Sequence, residues 1–346
     1  MADDQTIMEK RSWVARMAAR DDWLALVDEP VLDPDREIVD PHHHLWDRGG
    51  STYLLDEFWA DTGSGHNVVE TLFVECRANY RPDGPEHLRP IGETEFVVEI
   101  AEASARGDGQ ATIAGIVAYA DLRGADLDEV LDAHEDAGRG TFRGIRHSGA
   151  HDPNPEALRI AGRAPADLYQ DEAYRAGVAR LGERGLSFDT WHYHHQNQAF
   201  RDLAEAVPGT IMVLDHFGTP LGVGAYAGRR AEIFAAWKDD FAAIAECPNV
   251  HAKLGGLAMP DNGFGWHERD GPPSSDAFAT AQAPYYHHAI DCFGPARCLF
   301  ESNFPVDRIS ISYPVLWNGL KKIAARYDDA AQDAMFAGTA RKVYRL

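Results

Sequence analysis

The sequence predicts an α/β protein that folds as a closed barrel of eight parallel strands, the (β/α)8 or TIM barrel. Short apolar segments alternate with longer amphipathic segments along residues 36–346, and such alternation indicates a parallel sheet. Eight strand–helix units favour a closed barrel over an open, doubly wound sheet. No G-x-G-x-x-G motif follows the first strand, which weakens the dinucleotide-binding alternative.

The predicted strands are short runs rich in Val, Ile, Leu, Phe and Thr, and the predicted helices lie between them. In chain order, the strands cover residues 37–42, 71–76, 111–119, 141–147, 186–194, 210–217, 250–256 and 296–304. The helices lie near residues 91–106, 126–137, 170–184, 196–206, 229–246 and 276–292, and two more follow residue 314. Residues 1–35 are predicted to be an N-terminal helical extension, so the barrel domain covers residues 36–346.

Two connections of the barrel are long, at residues 44–69 and 256–275. Both follow the carboxyl ends of strands, where a TIM barrel carries its active site. Their Gly, Trp and His content suits loops that cover a pocket.

The composition argues against several classes of partner. The 346 residues include 33 Lys and Arg against 55 Asp and Glu, a formal net charge of −22 at pH 7. Such a surface repels phosphate backbones and anionic lipids, so we expect a small-molecule substrate and neither nucleic acid nor a membrane as partner. An anionic substrate would therefore need a local basic pocket. Four cysteines without C-x-x-C spacing, and the absence of a long apolar run, predict a cytoplasmic protein.

Three consecutive histidines end the first predicted strand, in the sequence IVDPHHHLWD at residues 38–47. Successive side chains of a strand point to opposite faces, so His42 and His44 share a face and His43 does not. Two imidazoles so spaced at the end of a barrel strand are able to chelate one divalent ion. The alternative is that they only form hydrogen bonds in a loop.

Polar residues of the types that bind metals or substrates also end four other predicted strands. Packing of a core does not explain such residues at five strand ends, so we expect them to surround one active site. They are Glu75 and Arg77 of the second strand, Arg143, Arg146 and His147 of the fourth, His192, His194 and His195 of the fifth, and Asp215 and His216 of the sixth.

Taken together, these motifs resemble the amidohydrolase-related family. The resembling segments are DPHHHLWD, VEC, FRGIRH, LDHFG, KLGGL and FESNFPVD, and the resemblance extends from about residue 36 to the C-terminus. More narrowly, the chain is similar to the lactonase-like branch of TIM-barrel hydrolases. That branch includes 2-pyrone-4,6-dicarboxylate lactonase, sugar-acid lactonases and sulfomuconolactone hydrolases.

The resemblance implies that histidines of several strands surround a metal ion, most simply Zn²⁺, or an activated water. Matched to this sequence, the implied ligands are His42, His44, His216 and either His194 or His192. Where relatives carry an aspartate after the eighth strand, this chain has Asn303, which accepts no proton from water. The general base is then Asp307 or Glu75, and a metal-free route, in which the histidines donate hydrogen bonds to the substrate carbonyl, stays open.

Several side chains are candidates for binding the substrate. Arg143 and Arg146 lie three apart, so one points into the barrel as a clamp for a carboxylate, unless it pairs with Glu75 or Asp215. Lys253 of the seventh strand faces the same two alternatives, a substrate ligand or an ion-paired barrel filler. The remaining candidates are His147, His194, Asn303 and, as a pocket wall, Trp46.

The predicted reaction is hydrolysis of a lactone of a small, anionic carboxylic acid. One alternative is non-oxidative decarboxylation of an aromatic or unsaturated acid on the same barrel, although Asn303 argues mildly against it. A second alternative is a catalytically inactive barrel that only binds a ligand. Barrels of this kind often pair, so we consider a homodimer, although no residue indicates it.

Overall fold

The structure is a computed structural model that describes residues 20–48 and 50–346. Ten strands occur in the described chain, and eight of them form one parallel sheet in the order β1-β4-β5-β6-β7-β8-β9-β10. The strands are β1 (Glu37–His43), β2 (Trp46–Arg48), β3 (Ser51–Tyr53), β4 (Asn67–Val74), β5 (Thr112–Ala118), β6 (Phe142–Arg146), β7 (Ser187–Thr190), β8 (Met212–Leu214), β9 (Val250–Leu254) and β10 (Cys298–Phe300).

The sheet closes into a barrel just beyond the ends of its first and last strands. His43 and Phe304 form a parallel bridge, and the N–H of His44 donates to the carbonyl of Phe304 at 2.8 Å. The N–H of Asn303 donates to the carbonyl of His42 at 3.0 Å. The predicted barrel of eight parallel strands is therefore confirmed.

Helices follow the strands and cover the outside of the barrel. They are α1 (Asp21–Leu24), α2 (Leu55–Thr62), α3 (Ile91–Ser104), α4 (Leu127–Gly138), α5 (Glu172–Glu183), α6 (Asn197–Ala206), α7 (Arg230–Ala245), α8 (Ser275–Phe293), α9 (Tyr313–Ala324), α10 (Asp329–Asp333) and α11 (Thr339–Tyr344). Most of the helical extension predicted for residues 1–35 lies outside the described residues. No helix in the described ranges combines the length and apolar character needed to cross a bilayer.

Two apolar clusters hold the barrel together. The larger one lies between the strands and the surrounding helices, where strand residues such as Ile38, Phe73 and Phe188 are fully buried. The smaller one joins side chains of five strands to α11, including Val39, Val213 and Tyr344. Its strand residues Val39, Leu72, Val213 and Leu299 come from inner positions of their strands, and Val74 ends β4. Apolar packing therefore fills the barrel below the strand ends and leaves the polar residues at the carboxyl ends.

The strands end earlier than the sequence predicts. The fifth predicted strand extends to residue 194, but β7 ends at Thr190, and a 3-10 turn follows at His194–Gln196. The sixth extends to residue 217, but β8 ends at Leu214, before a turn at Asp215–Gly218. Apolar β-propensity marks the start of seven strands to within two residues, whereas β4 begins at Asn67, four residues before the predicted start. The backbone then leaves the sheet at the first polar residues of the barrel mouth.

Candidate active site

Three buried side chains from distant parts of the chain meet at the carboxyl ends of the strands. His42 ends β1, His216 follows β8 and Glu301 follows β10, and we call these three residues the triad. Nδ1 of His216 lies 2.7 Å from Oε1 of Glu301, and Nδ1 of His42 lies 2.9 Å from Oε2. The two imidazole centroids are 4.5 Å apart. One ligand atom from each residue lies within 4.8 Å of the others, so the triad is able to hold one metal ion.

A strained turn after β8 carries His216 into the triad. His216 has φ 55° and Phe217 has φ 59°, both in the left-handed region that side chains with a Cβ rarely adopt. Such a conformation costs on the order of 1–3 kcal/mol and persists where the surrounding structure imposes it. Here the ring of Phe217 is fully buried in the apolar core. The buried Phe217 anchors the turn, and His216 is held toward Glu301.

The charges of the triad follow from burial and mutual contact. Burial alone raises the pKa of Glu301, but the adjoining His216 and His42 outweigh it and lower that pKa to about 2. Burial lowers the pKa of His42 well below its ordinary value. Burial also acts to lower the pKa of His216, yet the charge of Glu301 outweighs it and raises that pKa. Burial and mutual contact therefore favour the ionised form of Glu301 and the neutral form of His42.

The donor atoms of the triad suit a divalent cation. Within the described residues, Nε2 of His42 is buried without a hydrogen-bond partner, and Oε2 of Glu301 has only the ring of His42 as its neighbour. Buried polar atoms are usually hydrogen-bonded, so an orphaned imidazole nitrogen beside a buried carboxylate indicates a missing positive ligand. Two histidines and one glutamate form a known ligand set of catalytic zinc. The residues present therefore fit the predicted metal.

The structure places His44 beside the triad but does not bring the histidines that follow β7 into it. Nδ1 of His44 donates to the carbonyl of Val74 at 2.7 Å, and its ring lies edge-on to His42 with centroids 5.0 Å apart. In the neutral ring its Nε2 is then an acceptor.

Nδ1 of His194 instead accepts a hydrogen bond from the N–H of Leu221 at 3.2 Å, against the ring of Tyr226. His192 contacts the hydroxyl of Tyr169 and the side-chain oxygen of Asn197. Neither His194 nor His192, which the resemblance implies as a metal ligand, reaches the triad, because β7 ends at Thr190 and the chain leaves the sheet before both residues.

Lys253 is enclosed in the barrel and does not face a substrate. Its ammonium lies 2.8 Å from Asp189, 3.3 Å from Asp215 and 3.4 Å from Nδ1 of His42, and its exposed fraction is 0%. The hydroxyl of Tyr344 also donates to Asp189. The structure therefore favours the ion-paired alternative over the predicted role in substrate binding.

The two arginines of β6 point in opposite directions, as predicted. Nε of Arg146 donates to Glu75 at 3.0 Å, and another guanidinium nitrogen lies 3.7 Å from Asp215, which makes Arg146 an ion-paired residue. Arg143 donates to the carbonyls of Gly140 and Phe142 and lines a separate surface cavity beside Arg345. The structure does not bring Arg143 to the barrel mouth.

The polar side chains after β10 form a second buried pair next to the triad. Nδ2 of Asn303 donates to Oδ1 of Asp307 at 2.9 Å, and the N–H of Ala258 donates to Oδ2 at 3.2 Å. Burial raises the pKa of Asp307 to about 7, although the charge of His216 acts in the opposite direction. Asn303 has φ 56°, in the left-handed region of the backbone.

A cavity of about 340 Å³ opens at this end of the barrel, lined by residues that include Glu75 and Arg146 of the predicted site. His147 also lines it, and Nδ1 of His147 accepts a hydrogen bond from the N–H of Leu122 at 3.2 Å. Trp46 is buried beside it, with its indole parallel to the ring of His44. The predicted residues His42, His44, His216, Glu75, Arg146 and His147 therefore belong to this end of the barrel.

Glu301 is the residue of the triad that sequence reasoning did not assign. It lies two residues before Asn303, in the segment FESNFPVD. The position of Glu301 in the sequence could have indicated its role. A carboxylate at the end of the last strand lies next to the first strand once the barrel is closed.

The comparisons with known proteins agree with this architecture. A family model described as Amidohydrolase matches residues 39–346. The chain belongs to the amidohydrolase family. This membership confirms the resemblance found in the sequence and, at the level of the superfamily, the predicted class of enzyme, a hydrolase.

Individual relatives are more distant. The chain is 29% identical over 334 residues to the uncharacterized protein y4mH of Sinorhizobium fredii, covering 90% of this chain and 99% of the relative. It is 28% identical over 326 residues to an L-fucono-1,5-lactonase of Burkholderia multivorans, covering 89% and 96% of the two chains. The crystal structure of a B. multivorans amidohydrolase with bound zinc shares the fold at a TM-score of 0.70 and 24% identity, over 89% and 99% of the two chains.

Proposed function

We propose that this protein is a hydrolase that opens a lactone of a small carboxylic acid. The observation that carries the proposal is the triad, two imidazoles and one carboxylate buried together at the end of the barrel where TIM-barrel enzymes bind their substrates. A cavity of about 340 Å³ at the same end of the barrel, lined by Glu75 and Arg146 and not by the triad itself, has the size of a small-molecule site. Relatives named L-fucono-1,5-lactonase, at 28% and 25% identity, support the choice of a lactone.

A divalent cation, with Zn²⁺ as the first choice, completes the proposal. His42, His216 and Glu301 would hold it, and a three-residue ligand set leaves a further position for water or substrate. When bound, such an ion polarises a carbonyl group and lowers the pKa of water to about 7. The zinc in the related B. multivorans amidohydrolase supports this choice of ion.

The residues around the triad take the remaining roles. Asp307 is the proposed general base, since its carboxylate is buried close to His216 and, among residues 20–48 and 50–346, pairs with no Arg or Lys. The carboxylate of Glu75 is neutralised by Arg146 at 3.0 Å, so we assign Glu75 to orienting that arginine. His44 offers an acceptor nitrogen at the edge of His42 and positions the attacking water.

The proposal is tested with purified protein, first by elemental analysis for bound metal and then by a pH-indicator screen of lactones that starts with L-fucono-1,5-lactone. Lactone opening releases acid, whereas a decarboxylase would release CO2, so both are measured on the same substrates. The variants His42→Ala, His216→Ala and Glu301→Gln are compared with Arg143→Gln, which alters a residue that faces away from the barrel mouth.

We expect the three triad variants to lose at least about 100-fold in rate, which is the loss expected when a catalytic metal or an electrostatic stabiliser is removed. Arg143→Gln is expected to keep the wild-type rate. Triad variants with wild-type rates would contradict the proposal. CO2 release without acid release would assign the barrel to decarboxylation instead. The cytoplasmic location and the homodimer stay predictions.

A further inference from the structure

A buried glutamate outside the triad holds the turn that follows β4. Glu93 lies in the first turn of α3, and only 2% of its surface is exposed. Oε1 of Glu93 accepts two backbone hydrogen bonds, from the N–H of Ala78 at 2.7 Å and from the N–H of Cys76 at 3.0 Å. One carboxyl oxygen therefore binds the backbone on both sides of Arg77.

The backbone between these two N–H groups is strained. Arg77 has φ 63° and Asn79 has φ 51°, both in the left-handed region that side chains with a Cβ rarely adopt. Neighbouring N–H groups around a left-handed residue form a concave nest that binds an acceptor oxygen. Here the chain supplies the oxygen itself, and the two bonds to Glu93 impose a conformation that Arg77 would otherwise avoid.

Helix α3 is also fitted against this turn at the residue before Glu93. A Cβ added to Gly92 would lie 2.5 Å from the carbonyl oxygen of Asn79 and 2.6 Å from the backbone nitrogen of Arg81. Distances this short exclude a side chain at Gly92, so the helix and the turn pack backbone against backbone. Helix α3 is therefore a fixed support for the turn, and Glu93 is the polar contact within it.

The same turn holds Arg146 from its other side. Nε of Arg146 donates to Oε1 of Glu75 at 3.0 Å, and a second guanidinium nitrogen donates to the backbone carbonyl of Glu75 at 2.6 Å. The third guanidinium nitrogen lies 3.7 Å from Oδ2 of Asp215, and Oδ1 of Asp215 lies 3.6 Å from Nδ1 of His42. The position of Glu75 therefore sets that of Arg146, and Arg146 adjoins a carboxylate that lies next to the triad.

From these contacts we infer that Glu93 is a positioning residue of the active site, which holds the turn so that Glu75 orients Arg146 toward Asp215. Burial and the charge of Glu75 raise the pKa of Glu93 to about 8, so the carboxyl group is mainly neutral at pH 7. The position therefore requires the reach of the side chain and an accepting oxygen more than it requires a charge. The inference rests on the proposed function in one respect, because the rate of lactone hydrolysis is one of its readouts.

Two replacements of Glu93 separate reach from charge. Glu93→Gln keeps the length and the accepting oxygen but removes the charge, whereas Glu93→Asp keeps a carboxyl group and withdraws it by one methylene. Glu95→Asp is the matched control, because Glu95 lies on the same helix and pairs with Arg81 at the surface. Urea unfolding of each variant checks that the barrel is folded.

The first measurement needs no substrate. The Nε–H of Arg146 is followed by NMR in 15N-labelled protein, and its signal is identified by its absence from Arg146→Lys. We expect hydrogen exchange of this group to be at least about tenfold faster in Glu93→Asp than in the wild type, and within about threefold of the wild type in Glu93→Gln and in the control. Unchanged exchange in folded Glu93→Asp overturns the inference.

The wild type alone supplies a further check that no substitution can confuse. The amides of Cys76 and Ala78 and the Nε–H of Arg146 should open with one common free energy, because the inference makes them one cooperative unit. Opening free energies that differ between the two amides and Arg146 would show that the turn does not hold the arginine.

Rates on a lactone test the role of Glu93 in the reaction. Per folded, metal-loaded protein, kcat of Glu93→Asp is expected to fall at least about tenfold, and kcat of Glu93→Gln to stay within about threefold of the wild type. In the Glu75→Gln background, Glu93→Asp should cause no further loss, because the two residues act through one contact. Additive losses overturn the inference. So does a Glu93→Asp variant that is less stable in urea but has the wild-type rate, which is the result of a merely structural role.

The outcome is separable from that of the proposed function. If no lactone is hydrolysed but exchange at Arg146 depends on the reach of Glu93, the positioning stands and the reaction is wrong. If the wild type and Glu93→Asp hydrolyse lactones equally well, the reaction stands and the inference is wrong.

Discussion

Nδ1 of His216 lies 2.7 Å from Oε1 of Glu301, although 85 residues separate them in the chain. The two residues follow β8 and β10, which both neighbour β9, and they meet over the Gly255–Gly256 pair that ends β9. A Cβ added to Gly256 would lie 2.4 Å from Nδ1 of His216, and one added to Gly255 would lie 2.4 Å from Cγ of Glu301. The two glycines of the KLGGL motif therefore leave the space that the side chains of His216 and Glu301 occupy.

Gly256→Ala is predicted to displace His216 and weaken metal binding. Gly256 has φ 72°, so the substitution also strains the backbone. Gly228→Ala is the matched control, because Gly228 has φ 75° with nothing within 4 Å of an added Cβ. We expect both variants to lose about 1 kcal/mol of the free energy of unfolding, measured in urea, from the left-handed backbone, and Gly256→Ala to lose more because its Cβ overlaps the ring of His216. Only Gly256→Ala should lose zinc affinity, by about tenfold or more, as second-shell disturbances do. Equal zinc affinity in the two variants would show that the glycine does not position His216.

Removal of the metal should abolish activity without unfolding the barrel. The triad is surrounded by an extensive apolar core, so the fold does not depend on the ion in the way a zinc finger does. Dialysis against a chelator is expected to reduce lactone hydrolysis by about 100-fold or more, and added Zn²⁺ should restore it. Circular dichroism before and after dialysis serves as the control for folding. Full activity after verified metal removal would favour the metal-free route, in which an imidazole of the triad donates a hydrogen bond to the substrate carbonyl.

Lys253→Met is predicted to be strongly destabilising. The ammonium of Lys253 has no exposed surface and balances Asp189 and Asp215, which its loss would leave buried and uncompensated. Removing one partner of a buried ion pair costs about 3–5 kcal/mol of the free energy of unfolding.

Lys322→Met is the control for Lys253→Met, because Lys322 pairs with exposed Asp276 at the surface. A surface pair of this kind contributes about 0–1 kcal/mol. Urea unfolding measures both variants. A loss from Lys253→Met no larger than that of the control would mean that the buried network is relaxed by water or protonation.

His134→Gln is predicted to make the protein less sensitive to acid. His134 is buried between the hydroxyl of Thr94 and the carbonyl of Tyr119, and burial lowers its pKa to about 4. The unfolded chain takes up a proton at this residue near pH 6.5, and the folded protein does so only near pH 4.

The sign of the effect of His134 follows from this difference. As the pH falls from about 6.5 to about 4, the unfolded state binds more protons, so the free energy of unfolding decreases by about 1.4 kcal/mol per pH unit for this residue. Urea unfolding at several pH values should show a shallower decrease for His134→Gln than for the wild type. Parallel pH profiles would contradict the assignment. Above pH 6.5 the two proteins should respond to pH alike at this site.

The sequence by itself determined the barrel, its eight strands and the location of the site at their carboxyl ends. Apolar periodicity is a local property, and it was sufficient to locate each strand. The local sequence also predicted that His42 and His44 lie at the end of the first strand and His216 at the end of the sixth. The divergence of Arg143 and Arg146 followed from strand alternation alone.

Only the tertiary structure decided which of these groups meet. Alternation of faces holds only while the backbone remains in the sheet, and β7 leaves it at Thr190, so His194 turns toward Leu221 and Tyr226. Closure of the barrel brings Glu301 to His42 and His216, a contact between sequence-distant segments that no local pattern encodes. The same closure encloses Lys253 among carboxylates. Contacts across a barrel depend on strand order and on where each strand ends, and both are properties of the folded chain as a whole.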